Sequence, residues 1–146
     1  MSYEDMARSH VKELAREAFK LTGVVVDTDG DLSFHKGTAV FYVSVVAAGR
    51  LVRVWSCAVH GLAVTKPVLR EVNDANAGLI LARTWVQGSG VMVEGCLPVE
   101  TVRADDLRAL CAEVGATADR LGSMLAAVHG GQVVLPVGSA GGTGEA

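Results

Sequence analysis

Two stretches of the chain break the usual alternation of apolar and polar positions. Ala39–Val64 (AVFYVSVVAAGRLVRVWSCAVHGLAV) holds two runs rich in Val, Phe, Tyr and Trp on either side of Ala48-Gly49-Arg50, with Arg50 and Arg53 as its charges. Such runs around a short Gly-containing break predict an antiparallel β-hairpin. Because strand side chains alternate between faces, Phe41, Val43 and Val45 share one face of the first strand, and Val40, Tyr42 and Val46 the other. In the second strand Leu51, Trp55, Cys57 and Val59 oppose Val52, Val54 and Ala58. Both faces are apolar. A sheet wetted on one side would alternate cleanly, so each side of this one is expected to need cover. Leu79–Gln87 and Val91–Leu97 repeat the pattern across Gly88-Ser89-Gly90, with Ile80, Ala82 and Val86 against Leu79, Leu81 and Trp85. Arg83 and Glu94 are the charges of this second hairpin.

Three segments instead carry helical spacing. Ala7, Val11, Leu14, Ala18 and Leu21 form one stripe, with Ser2 and Asp5 as a capping box and Gly23 as a natural stop. Thr65-Lys66-Pro67 opens a second helix, striped by Val68, Leu69, Val72 and Ala75 and ended by Asn76-Ala77-Gly78. Asn73 and Asn76 lie three apart on it: Asn76 as a terminator with Asn73 bonding a neighbouring backbone group, or a polar pair setting the register of an interface. The third helix follows Pro98. Asp105 and Asp106 complement its dipole, and its stripe runs Leu107, Leu110, Cys111, Val114, Ala118, Leu121, Leu125, Val128. Gly115 and Gly122 each cost about 1 kcal/mol there relative to alanine. With Ala112, Ala118 and Ala126 they make a small-residue strip suited to close backbone approach.

Between the first helix and the long hairpin, Asp27, Asp29 and Asp31 suggest a calcium loop. The sixth and twelfth positions hold Leu32 and Thr38 where such a loop needs Gly and Glu, so a tight turn on Asp29-Gly30 between two short strands is the better reading. At the other end, Gln132–Val137 adds a short strand or drapes over the surface. Residues 1–137 thus form a single domain, and 138–146 (GSAGGTGEA) a flexible Gly-rich tail. The element order, α-ββ-ββ-α-ββ-α, describes an α+β fold with a mostly antiparallel sheet of about five to six strands and helices packed on one side.

Composition narrows the function more than it defines it. The 146 residues carry a net charge of −3 and lack the basic clustering that nucleic acid requires. No signal-peptide core or membrane-length apolar helix is apparent, so a cytoplasmic protein is expected. Cys57, Cys96 and Cys111 have no CxxC spacing and read as reduced packing residues.

Catalysis needs a nucleophile or base beside an orienting partner. Cys57 and His60, three apart on a strand, point to opposite faces and make no local dyad. His35, His60 and His129 lack metal spacing, and Gly88-Ser89-Gly90 joins two strands and is not a phosphate loop. No catalytic residue, metal site or cofactor is assigned, and the chain is read as a non-enzyme.

Several short segments, in order and spacing, resemble the YbjN-like domain family, whose members resemble class I type III secretion chaperones in fold. They are Asp29-Gly30-Asp31, Phe41-Tyr42-Val43, Val72-Asn73 with Asn76, Leu97-Pro98, Ala104-Asp105-Asp106-Leu107 and Ala118-Asp119-Arg120-Leu121. The resemblance covers roughly residues 5–131. It implies a small cytoplasmic domain, commonly a homodimer, that binds protein segments or acts in regulation, with no catalytic residues. The expected function is accordingly a non-enzymatic, chaperone-like or regulatory protein-interaction domain with an unidentified protein client. The fold resemblance places the dimer contact on Val68, Leu69, Val72, Asn73, Asn76, Leu79, Leu81 and Trp85. The client surface is expected between the first helix and the sheet, at Val11, Leu14, Phe41, Val43 and Trp55. The alternative is a small-molecule sensor with an apolar pocket near Trp55 and Trp85, Arg53 and Arg83 supplying its polar groups. A third possibility is an enzyme centred on His60.

Overall fold

The computed structural model describes residues 1–20, 25–26, 28, 30–36 and 39–134. Its elements are α1 (Tyr3–Phe19), β1 (Val25–Val26), β2 (Leu32–Lys36), β3 (Ala39–Val46), β4 (Leu51–Val59), α2 (Lys66–Ala77), β5 (Arg83–Gln87), β6 (Gly90–Pro98) and α3 (Ala104–His129), in the order the sequence predicts. The strands form one sheet, β1-β2-β3-β4-β6-β5, antiparallel at every step. The calcium-loop question and the Asp29-Gly30-Asp31 segment rest partly on Asp27, Asp29 and Thr38, which lie outside the described residues; Gly30 does take the positive φ a turn needs (85°). Leu21, Gly23, Leu135–Val137 and the tail 138–146 also lie outside them.

Local signals set the helix starts. Ser2 accepts from the Asp5 N–H while Asp5 reaches back to Ser2, the predicted capping box. Thr65 caps α2, with proline in the first turn. α1 ends earlier than Gly23 suggests: Phe19 is its last residue and Lys20 closes it in the left-handed conformation. Arg108 of α3 donates to the Ala18 carbonyl (3.1 Å), satisfying an acceptor that the ending helix leaves open.

The three helices gather on one face of the sheet. Leu32, Phe34, Phe41, Val43, Val52, Val54 and Val93 point into this side with Leu107, Leu110, Val114, Leu121 and Leu125 of α3. The small-residue strip brings α3 close: a β-carbon on Gly122 would overlap the Ala58 carbonyl oxygen, and one on Gly115 would come within 2.8 Å of the Phe41 ring. Val128 departs from the predicted stripe and is exposed. A bulge between Cys57 and Val59 also turns Val59 into the core beside Ala58, against simple alternation.

The second hairpin is shorter than its sequence suggests. β5 begins at Arg83 and not Leu79, because the N–H groups of Ile80, Leu81 and Ala82 all donate to the Glu113 carboxylate of α3 (3.0, 2.7 and 2.6 Å). Those donors are taken before a ladder can use them, and Ile80 is left 89% exposed.

Candidate peptide-binding surface

Among the described residues no helix lies over the opposite face of the sheet, and the register decides what that face carries. Tyr42 stands opposite Trp55, Trp55 opposite Glu94, Glu94 opposite Arg83, and Met92 opposite Trp85. Arg53 precedes Trp55 by two and shares its side. Residues from β3, β4, β6 and β5 therefore meet in one continuous track.

The track partly covers itself. Glu94 is only 4% exposed and Met92 is buried, although no helix lies above them. The Glu94 carboxylate accepts from Arg83 Nε (3.0 Å) and Nη2 (2.6 Å) and, at its other oxygen, from Arg53 Nε. Burial pushes this carboxyl up, but hydrogen bonds from the two guanidinium groups outweigh it and hold Glu94 below the ordinary glutamate range. Tyr42 stacks on Trp55 with centroids 4.3 Å apart, Arg53 lies over the Trp55 ring at 5.3 Å, and Arg83 over Trp85 at 6.0 Å. The indole N–H of Trp85 is buried with no acceptor among the described residues. Three charges distant in sequence, two guanidinium groups and the one carboxylate they share, gather on this face. What remains is amphipathic, with flat aromatic surface beside fixed charge.

The residues expected to form a client surface do not come together. Val11, Phe41 and Val43 are buried in the core on the helix side, Leu14 is half-buried on α1, and Trp55 lies on the opposite face. Strand parity is the cause, since Phe41 and Val43 point away from the side that Tyr42 shares with Trp55. Phe41 does line a cleft of about 330 Å³ between the end of α1, β3 and α3, together with Phe19, Ala39, Cys111, Gly115 and Asp119.

The expected dimer residues divide similarly. Val68 and Val72 are buried against this subunit's own core and cannot present their side chains to a second copy. Asn76 docks α2 onto β5, donating to the Thr84 carbonyl (2.9 Å) and accepting from the Thr84 N–H (2.7 Å). It therefore fixes an internal register. Leu69, Asn73 and Leu81 are exposed, Leu79 is half-buried, and Trp85 belongs to the aromatic track. Glu113 escaped the sequence reading, and Glu94 entered it only as a charge of the second hairpin, since their partners are set by tertiary contact and strand register.

Burial raises the Cys57 and Cys96 thiols above the ordinary cysteine value, the reverse of an activated thiolate. His60 is exposed, its backbone paired with Gln132. No helix among the described residues is long and apolar enough to cross a membrane.

Solved structures share the fold. The HopA1–SchA chaperone–effector complex matches with a TM-score of 0.64 at 12% identity, over 82% of this chain and 98% of that one. The ExsC–ExsE complex matches with a TM-score of 0.65 at 12% identity, over 86% and 97%. YbjN from E. coli, described as a putative transcription regulator, matches with a TM-score of 0.60 at 11% identity, over 90% and 95%. No curated protein sequence matches the chain. Residues 5–137 match TY-Chap1, described as T3SS (YopN, CesT) and YbjN peptide-binding chaperone 1, and the chain belongs to that family of chaperone-like, peptide-binding domains.

Proposed function

We propose that this domain holds an extended apolar segment of a client protein on the helix-free face of its sheet. The carrying observation is the track itself: Tyr42, Trp55, Trp85 and Met92 are gathered with the Arg53–Glu94–Arg83 cluster on a side that no described helix covers. Aromatic rings give a chain of varied sequence a large contact area at low entropic cost. The guanidinium groups lie beside the rings, where client carbonyls and carboxylates would find donors.

Strand addition at β5 is a poorer route. Its outward backbone groups at Thr84 are taken by Asn76, and the preceding N–H groups by Glu113. A client would therefore lie across the face, not extend the edge.

The domain acts as a cytoplasmic, non-enzymatic homodimer whose contact uses Leu69, Leu81 and the exposed Ile80, with Val68 and Val72 supporting it from beneath. Holding a client is an act common to chaperones and to regulators that work by sequestration. The small-molecule alternative is less well supported: the cleft of about 280 Å³ beside Arg83, Glu94 and Cys96 is lined by neither Trp55 nor Trp85.

Both tryptophans of the chain lie on the track, so intrinsic fluorescence reports its occupancy. Panning a random 16-residue peptide library on the protein should enrich apolar sequences that shift the emission and lose binding to Trp55→Ala. Enriched peptides that leave the emission unchanged and bind Trp55→Ala normally would place the client elsewhere.

A further inference from the structure

An Arg-x-Trp unit occurs twice on the helix-free face. Arg53-Val54-Trp55 lies on β4 and Arg83-Thr84-Trp85 on β5. Both strands pair antiparallel with β6, so the two units run in the same direction on either side of it. They are staggered by one pleat: Glu94 of β6 stands opposite Trp55 on one side and opposite Arg83 on the other. Within each unit the Arg and the Trp share a side, and each guanidinium lies over its own indole.

The charge on this face is unbalanced. Arg53, Arg83 and Glu94 are the charged residues of β3, β4, β5 and β6, two positive against one negative, on a chain whose net charge is −3. A guanidinium presents two forked edges of N–H donors. Arg83 spends one of them, Nε with Nη2, on a single oxygen of Glu94 (3.0 and 2.6 Å). Its outer edge keeps Nη1, which has no acceptor among the described residues, and the side chain is 72% exposed. Arg53 holds the other Glu94 oxygen and is 29% exposed. Arg83 is therefore the cation within a client's reach, with the half-buried Trp85 one pleat along the same strand.

We propose that the client segment is acidic as well as apolar: an Asp or Glu seats on the outer edge of Arg83, and an aromatic or large aliphatic side chain two positions away rests on Trp85. This inference rests on the peptide-binding reading above and names the client chemistry of that same face. The spacing follows from the pleat. Residues two apart in an extended segment lie on one side about 6.7 Å from each other, the repeat that also separates Arg83 from Trp85. A carboxylate meets a guanidinium edge with two parallel hydrogen bonds, which a single carbonyl oxygen cannot match. It also supplies the negative charge that one Glu94, shared between two guanidinium groups, leaves lacking.

Peptides from the 16-residue library that shift the tryptophan emission of the full chain should be enriched in Asp or Glu two positions from an aromatic or large aliphatic residue. The tightest binder is then made in three altered forms. In one the acid becomes its amide, in another Lys, and in the third it moves by one position, which turns it to the far side of an extended segment. Each change should weaken binding to the wild-type chain about fivefold, the scale of a part-exposed ion pair. Arg83→Ala should bind all four forms nearly equally, and Arg83→Glu should favour the Lys form. Circular dichroism of both variants separates a lost contact from a lost fold, and the series on the wild-type chain needs neither of them. Equal affinities across that series, or selected peptides without the acid, overturn this inference and leave the peptide-binding reading standing. An acid preference undiminished in a folded Arg83→Ala overturns the assignment to Arg83. Peptides that leave the emission unchanged and bind Trp55→Ala normally overturn the reading itself, and this inference falls with it.

Discussion

Gly122 of α3 lies so close to the Ala58 carbonyl of β4 that no side chain fits between the helix and the sheet. A glycine that costs about 1 kcal/mol of helix propensity is kept because the backbone approach beneath it cannot be made otherwise. Gly122→Ala should therefore destabilise despite improving the helix, by about 2–3 kcal/mol through overpacking. Urea unfolding checks this, and a gain in midpoint would contradict the contact.

Glu113 pins three consecutive N–H groups and so decides where β5 begins. Burial raises its carboxyl, but the hydrogen bonds from Ile80, Ala82 and Leu81 outweigh that and hold it below the ordinary glutamate value of 4.5. A depressed folded value means that the stabilisation is complete above the unfolded value and is lost as pH falls through the folded one. Wild type should weaken as pH falls below about 4.5, while Glu113→Gln should lose about 1–3 kcal/mol at neutral pH and show a flatter acid limb. Parallel denaturation curves from pH 7 to pH 3 test the difference.

The charge cluster makes an ordered prediction. The Arg53 and Arg83 side chains are 29% and 72% exposed, against 5% for Glu94. Arg83→Ala removes a mostly solvated partner and should cost less than about 1 kcal/mol. Glu94→Ala leaves two guanidinium groups without their shared acceptor and should cost about 2–3 kcal/mol. Chemical denaturation of the variants would expose an inverted ranking.

Burial separates association from folding. Val72 is 5% exposed and Ile80 89%, so Val72→Asp should unfold the subunit, by about 3 kcal/mol or more for an unpaired charge in the core. Ile80→Asp should leave the circular dichroism spectrum intact and halve the mass seen by light scattering at micromolar concentration. A folded Ile80→Asp variant of unchanged mass would move the dimer contact elsewhere.

Asn76 closes the backbone of β5 at Thr84 from outside the sheet. Asn76→Ala should cost about 1–2 kcal/mol and open an edge to strand pairing, seen as concentration-dependent aggregation. Retained solubility and stability would show that α2 covers that edge without it.

The amino-acid sequence by itself determined the order of elements, the caps at Ser2 and Thr65, and the glycine strip on α3, because each depends on neighbours a few residues apart. It also held the segments on which the family resemblance rests. Tertiary structure alone decided that Val68 and Val72 face inward, that Glu113 ends the second hairpin early, and that Phe41 and Trp55 stand on opposite sides. It alone gathered Arg53, Arg83 and Glu94, which lie 11 and 41 positions apart, into one cluster. Spacing along a strand fixes which residues share a side. Which side meets the helices, and which charges become neighbours across strands, depends on register and packing between segments far apart in the chain.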